Sequence, residues 1–157
     1  MPRRKPPFRL KPDHYAIVAF WAVLLGEVLL PLRLLPPASI HSGSSWCGFV
    51  LILVGLGLEI TVARAMTRAG TTTKPYKRPT ALVTSGAFRF SRNPFYIGIL
   101  LFFGGMMLML SLDWLLLVMP LYWLALDRLV VPHEEKALAG AFGPAWDDYA
   151  ARTRRWV

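Results

Sequence analysis

Four long apolar runs separated by short polar stretches set the pattern of the chain. The first extends from Tyr15 to Leu35 and is interrupted by Glu27 and Pro31. The second runs from Trp46 to about Ala65 and carries Glu59. The third covers Phe95–Leu110 and the fourth Trp114–Val131, with only Ser111-Leu112-Asp113 between them. Runs this long and uniform predict membrane helices rather than the one-sided stripes of soluble ones. At 1.5 Å rise per residue the last two are roughly 24–27 Å long, workable as a tight hairpin in a ~30 Å hydrocarbon core. Beyond them Leu138, Phe142, Trp146 and Tyr149 recur at three-to-four spacing, interrupted by Gly143-Pro144, which predicts two short interfacial helices.

The fold class this predicts is all-α, a polytopic membrane protein with about four transmembrane helices and short C-terminal interfacial helices. It forms one unit over residues 1–157. A basic N-terminus occupies 1–14, spans one and two lie in 15–67, a loop in 68–94, the hairpin in 95–131, and the C-terminal helices in 132–157. Composition agrees, because 55% hydrophobic residues is too apolar for an ordinary soluble domain or for a single buried hairpin within one. Basic residues precede the first span, but its apolar stretch is longer than a signal-peptide core and no small-residue cleavage site follows. It reads as an uncleaved anchor.

Charge then orients the spans. The chain has 18 Lys+Arg against 9 Asp+Glu, a net +9. Arg3, Arg4, Lys5, Arg9 and Lys11 precede the first span. Arg64, Arg68, Lys74, Lys77, Arg78, Arg89 and Arg92 lie between the second and third. Arg128, Lys136, Arg152, Arg154 and Arg155 close or follow the fourth, whereas the other two connections hold only Arg33. Bases clustered between apolar runs read as topology rather than as a nucleic-acid face, and the positive-inside rule places both termini and the middle loop in the cytoplasm. The block before span three and the block after span four are two crossings apart, so they return to the same membrane face. Cys47 alone excludes an internal disulfide and a cysteine-built metal site, and at the edge of an apolar run it reads as a small packing residue.

Two polar clusters therefore meet. Gly86-Ala-Phe-Arg-Phe-Ser-Arg-Asn-Pro-Phe-Tyr-Ile-Gly98 sets Arg89, Arg92, Asn93 and Tyr96 directly before an apolar run. Asn93 suits a side-chain cap and Pro94 the first helical position, while Gly98 permits close approach of a helix or ligand. Arg89 and Arg92 also read as snorkelling anchors, and Tyr96 as an interfacial aromatic. In Val131-Pro-His-Glu-Glu-Lys136, Pro132 reads as starting a new helix, with Glu134 and Glu135 in its first turn. His133 is a candidate base or a solvated side chain. No second histidine or acidic cluster supports a metal. Glu27 and Glu59 lie within apolar spans and read equally as functional acids or as interhelical hydrogen-bond partners. Gly55-Leu-Gly57 is no nucleotide fingerprint; small residues there read as helix packing.

The ordered blocks Arg92-Asn-Pro-Phe-Tyr-Ile-Gly98, Glu134-Glu135, Phe142-Gly143, Tyr149 and Arg155-Trp156 resemble the isoprenylcysteine carboxyl methyltransferase family and its phospholipid-methyltransferase relatives. Gly70-Thr-Thr-Thr-Lys-Pro and Leu82-Val-Thr-Ser-Gly86 are similar to the bacterial branch. The resemblance covers roughly residues 69–157. It implies an integral membrane enzyme of a bacterial inner membrane that uses S-adenosylmethionine on a lipophilic acceptor. It also implies that the two clusters form the cofactor pocket, with Arg92, Asn93, Pro94, Tyr96, Gly98, Glu134 and Glu135 as cofactor residues. Arg92 and Glu135 carry the catalytic assignment, and Arg89 and Tyr149 the acceptor side. Membrane lipids are the expected partners, with no metal and no nucleic acid. Asn93 stands where the family more often has histidine and cannot act as a general base.

On chemical grounds an arginine suits the donor's carboxylate, Glu134 and Glu135 its ammonium or ribose hydroxyls, and Tyr96 with neighbouring leucines its adenine. The competing readings are an NADPH-dependent membrane reductase similar to the sterol-reductase group, and a non-enzymatic membrane scaffold.

Overall fold

A computed structural model describes residues 12–71 and 79–157, with side chains from Ile17 onward in the first helix. Arg3, Arg4, Lys5, Arg9, Lys11, Lys74, Lys77, Arg78 and most of the Gly70–Pro75 motif lie outside the described residues. Among those described, every regular element is helical: α1 (Pro12–Leu29), α2 (Gly43–Arg68), a 3-10 turn (Gly86–Arg89), α3 (Pro94–Leu110), α4 (Leu115–Ala125), a π-helical turn (Leu126–Val130), α5 (Val131–Phe142) and α6 (Pro144–Arg152). Two helices are long and apolar enough to cross a membrane. They are α2 and the 28-residue run Leu115–Phe142; the apolar stretches Ile17–Leu29 and Pro94–Leu110 are shorter.

Several expectations need correction. The first apolar run stops being helical at Leu29, because Pro31 cannot donate a helical hydrogen bond and restricts Leu30. Pro132 does not begin a separate helix. The chain continues from α4 into α5 through the π-helical turn, where Val131 N–H reaches back to Leu126 O. A proline within a continuing helix removes one amide and crowds the carbonyl four residues earlier, and a widened turn accommodates both. His133 Nδ1–H donates to Leu129 O at 2.8 Å, satisfying a carbonyl in that turn. The break between the last two helices falls where expected: Gly143 has φ +49°, a conformation that favours glycine. Cys47 faces outward and is exposed, because the contact face of α2 runs through Ser45 and Gly48.

Antiparallel α2 and α3 are in backbone contact. Gly48 lies against Gly105 and Gly55 against Gly98, so each helix brings two glycines seven residues apart to one seam. Of the Gly55-Leu-Gly57 pair only Gly55 packs; Gly57 has open space.

The Ser111–Trp114 end of the bundle is pinned by acids. Asp113, 4% exposed, accepts the Leu34 and Leu35 backbone amides at 3.1 and 2.8 Å. Glu27 accepts the Trp114 amide at 2.9 Å, the Trp114 indole donates to Leu30 O at 3.0 Å, and the Ser111 hydroxyl donates to Pro36 O. Glu27 is thus an interhelical hydrogen-bond partner that serves the start of α4. Asp113→Ala is expected to cost about 2–3 kcal/mol by orphaning two amides from a charged acceptor. A detergent thermal melt should show a lowered midpoint, with Asp113→Asn intermediate.

Candidate functional site

The opposite end of the bundle gathers the charged residues. The α3 N-terminus is built without the expected side-chain cap: Pro94 occupies the first turn, but the Asn93 side chain makes no cap bond. Its Nδ2 instead donates to Arg155 O at 2.9 Å. Ser91 Oγ accepts the Asn93 amide at 3.0 Å and donates to the same Arg155 carbonyl at 3.1 Å. Arg92 N–H donates to Arg154 O at 2.9 Å. The last residues after α6 are therefore strapped across Ser91–Asn93. Asn93 works as an amide donor to backbone, a role for which imidazole chemistry is not required.

The strap carries side chains back to the long C-terminal helix. Arg155 grips Glu135 through Nε to Oε1 at 3.2 Å and Nη2 to Oε2 at 2.7 Å, and reaches Asp127 Oδ1 at 3.4 Å. Trp156 Nε1 donates to the same Asp127 oxygen at 2.9 Å. The hydrogen bonds that Arg155 donates to Glu135, helped by the carboxylate charges, push the Arg155 pKa further above its ordinary value, so the guanidinium stays charged. Asp127 also pairs with exposed Arg128 at 3.3 Å.

The two sequence clusters meet inside this frame. Arg92 Nη1 lies 3.3 Å from Glu135 Oε1, and its guanidinium sits over the Trp146 ring at 5.9 Å. The Tyr96 hydroxyl donates to Glu134 Oε1 at 2.9 Å. Tyr96, Leu126, Val130 and Val131 form the adjoining apolar core, against which Phe95, Ile99, Tyr122 and Trp156 pack. Glu135 is thus shared by two arginines, whereas Glu134 is in no ion pair among the described residues. Arg92 Nε is buried with no acceptor among the described residues. A buried donor without a partner is uncommon and marks a place where a ligand or water is suited to complete the bonding.

Of the two residues expected on the acceptor side, Arg89 is exposed and Tyr149 is buried. Arg89 ends the 3-10 turn and is exposed. Tyr149, 4% exposed, donates its hydroxyl to Phe88 O at 2.8 Å and so clamps α6 to that turn. Burial pushes the Tyr149 pKa up to about 12, with Arg92 pulling weakly the other way. The protonated phenol is therefore favoured in the fold. Its contribution is fully present below pH 10 and is lost as pH rises from about 10 to about 12. The stabilising margin of wild type over Tyr149→Phe is expected to shrink across that window in melts taken at stepped pH.

Of the residues expected from sequence, Arg92, Asn93, Pro94, Tyr96, Glu134 and Glu135 converge here. Gly98 faces away from Glu134, against α2, where an added Cβ would meet Glu59 Cγ at 2.7 Å and Gly55 O at 3.0 Å. Asp127, Ser91 and Trp146 were not foreseen. An acid in the last turns of an apolar run was the available signal for Asp127. No group of three or more metal-ligating side chains occurs among the described residues.

In the comparison with protein families, the model described as phospholipid methyltransferase matches residues 44–145, about two thirds of the chain. Comparison with curated proteins and with solved structures gives no match. The matched span takes in α2, α3 and α4, together with Arg92, Tyr96, Glu134 and Glu135.

Proposed function

The chain belongs to the phospholipid methyltransferase family, and from that premise we propose that it is an S-adenosylmethionine-dependent methyltransferase acting on a lipophilic acceptor at the cytoplasmic membrane face, similar in activity to the isoprenylcysteine carboxyl methyltransferases. The supporting observation is the joining of the two clusters, Arg92 to Glu135 at 3.3 Å and Tyr96 to Glu134 at 2.9 Å. On this reading α1 and α3 also span, giving four crossings of a bacterial inner membrane with both termini and the 68–94 loop in the cytoplasm.

The residues present suit the donor. The unpartnered Arg92 Nε is a charged donor fitted to a carboxylate, and Glu134 is an acid not already neutralised by a cation, fitted to an ammonium or ribose hydroxyls. Tyr96, Leu126 and Val130 offer an apolar wall for an adenine ring. Asn93 and Pro94 fix where α3 begins, and Gly98 lets it lie on α2, so together they position Tyr96. When bound, S-adenosylmethionine supplies an electrophilic methyl group on a positively charged sulfur. The chain's part is to align and to exclude water, for which a set of side chains immobilised by ion pairs is suited. Arg92 and Glu135 carry the catalytic assignment on that basis. A carboxylate or thiolate acceptor needs no general base. His133 is committed to Leu129 O and Glu135 to two arginines, which favours such an acceptor over one that must lose a proton to them. Arg89, held on the turn that Tyr149 clamps, is placed to hold an anionic acceptor group at the rim.

The test is calorimetric or radiometric binding of S-adenosylmethionine to the purified protein, followed by labelled-methyl transfer into a lipid extract. Saturable binding and a labelled lipid product are the expected result. A folded protein that binds no donor would sink the proposal.

A further inference from the structure

The bundle contains an apolar cavity of about 180 Å³ between α1, α3 and α4, away from the charged cluster. Phe20 and Val23 wall it on one side, Phe103 and Met106 on another, and Met119 and Tyr122 on the third. An apolar cavity of about 150 Å³ accepts a benzene ring, so this one takes a run of roughly six to eight carbons and rejects a polar ligand.

Its two ends differ. The far end is bounded by Leu112 and Leu115, neighbours of Asp113 and Trp114, which the hydrogen bonds to Leu34, Leu35, Leu30 and Glu27 hold in place. It is a built floor. The near end is Tyr122, which packs against the core formed by Tyr96, Leu126 and Val130 beside the charged cluster. The two regions lie along one face of α3. Phe95 and Ile99 pack on that core, and Phe103, Met106 and Leu110 line the cavity. Their spacing of four, four, three and four keeps all five on one helical stripe.

Resting on the reading of the charged cluster as the reaction site, we propose that this cavity seats the distal end of one hydrocarbon tail of the acceptor lipid, with its floor limiting tail length. Leu110 lies about 24 Å along α3 from Pro94, past the middle of a ~30 Å hydrocarbon core. A lipid of the site-facing leaflet resting in the bilayer ends its tails near that middle, so a chain reaching the floor has been drawn into the protein. From Tyr96 to Leu110 is about 21 Å, the reach of a long unbranched tail.

Photolabelling tests this without any methyl donor. The protein is reconstituted in nanodiscs of phosphatidylethanolamine and phosphatidylglycerol, doped with a long-chain fatty acid, a carboxylate lipid, bearing a diazirine at either the middle or the end of its chain. The end-placed probe is expected to label Met106, Leu115 and Met119, and the mid-chain probe Ile99, Phe103 and Tyr122. Met119→Trp, and independently Val118→Phe, should lower end-probe labelling of the cavity at least five-fold while leaving labelling of outward-facing Leu53 unchanged. Three outcomes overturn the proposal. They are equal labelling of the cavity and of lipid-facing Trp21 and Leu53, a reversed order of mid-chain and end probes, or undiminished cavity labelling in both folded variants. Donor binding without cavity labelling defeats this inference alone; cavity labelling without donor binding defeats the proposed function instead.

Discussion

Glu135→Ala is expected to weaken S-adenosylmethionine binding by roughly 30–100-fold, equivalent to about 2–3 kcal/mol. The carboxylate joins Arg92 at 3.3 Å and Arg155 at 3.2 and 2.7 Å. Removing one partner from a fully buried pair costs about 3–5 kcal/mol, because the other charge is left uncompensated. Here the side chains of Glu135 and Arg92 are 16% and 17% exposed but that of Arg155 is 36%, so solvent recovers part of the loss. Two guanidinium groups would then repel across the vacated space, displacing Arg92 from the Trp146 ring and from Glu134's side of the site. Arg92→Ala should weaken donor binding comparably, while Glu135→Gln, which keeps shape and one acceptor, should fall between. The measurement is donor affinity beside the melting midpoint for each variant. Lowered midpoints with wild-type affinity throughout would assign the cluster to holding the C-terminal strap and nothing more.

That the Arg89–Gly98 block and the Glu134-Glu135 block come together is legible in sequence for a topological reason, whereas the pairing of Arg92 with Glu135 and of Tyr96 with Glu134 is not. Two expected crossings would return the chain to the same face, and a three-residue connection keeps the last two apolar runs together. What surrounds the pairs was not legible. Arg155 stands in sequence in the terminal Arg155-Trp156 block with no partner assigned, and only the folding back of the strap shows that it shares Glu135 with Arg92. Asp127 lies in an apolar run next to Arg128, 3.3 Å away, yet its nearest partner is Trp156 at 2.9 Å, and Arg155 reaches the same carboxylate at 3.4 Å. The π-helical turn is likewise hidden. Pro132 signals either a helix start or an interior distortion, and hydrophobic periodicity does not separate them across so uniformly apolar a stretch. In sequence Asn93 reads as a cap because its own local chemistry suffices for one. The competing acceptor, Arg155 O, comes from 62 residues away.

Gly55→Leu is expected to be the most disruptive single change in the molecule, costing about 3 kcal/mol or more. Membrane helices gain little from the hydrophobic effect when they associate, because lipid tails are as apolar as leucine; close packing of small residues supplies the attraction. At the α2–α3 seam even a methyl group has no room. A Cβ on Gly55 would meet Gly98 O at 2.7 Å and Phe102 N at 2.8 Å, and one on Gly105 would meet Gly48 O at 2.5 Å. These obstacles are backbone, which cannot rotate away as a side-chain end can, so the helices must separate along the seam. Gly57→Ala is the matched control two residues on. With nothing within 4 Å of its added carbon, it should be neutral or raise stability by about 0.5–1 kcal/mol through helix propensity. Separation at Gly55–Gly98 also moves the first turns of α3, which carry Tyr96 to Glu134, so donor affinity should fall together with the melting midpoint in Gly55→Leu and in Gly105→Leu, and in neither respect in Gly57→Ala. Equal midpoints for Gly55→Leu and Gly57→Ala would mean that the seam does not hold the two helices, and that the position of Tyr96 is set by the C-terminal strap alone.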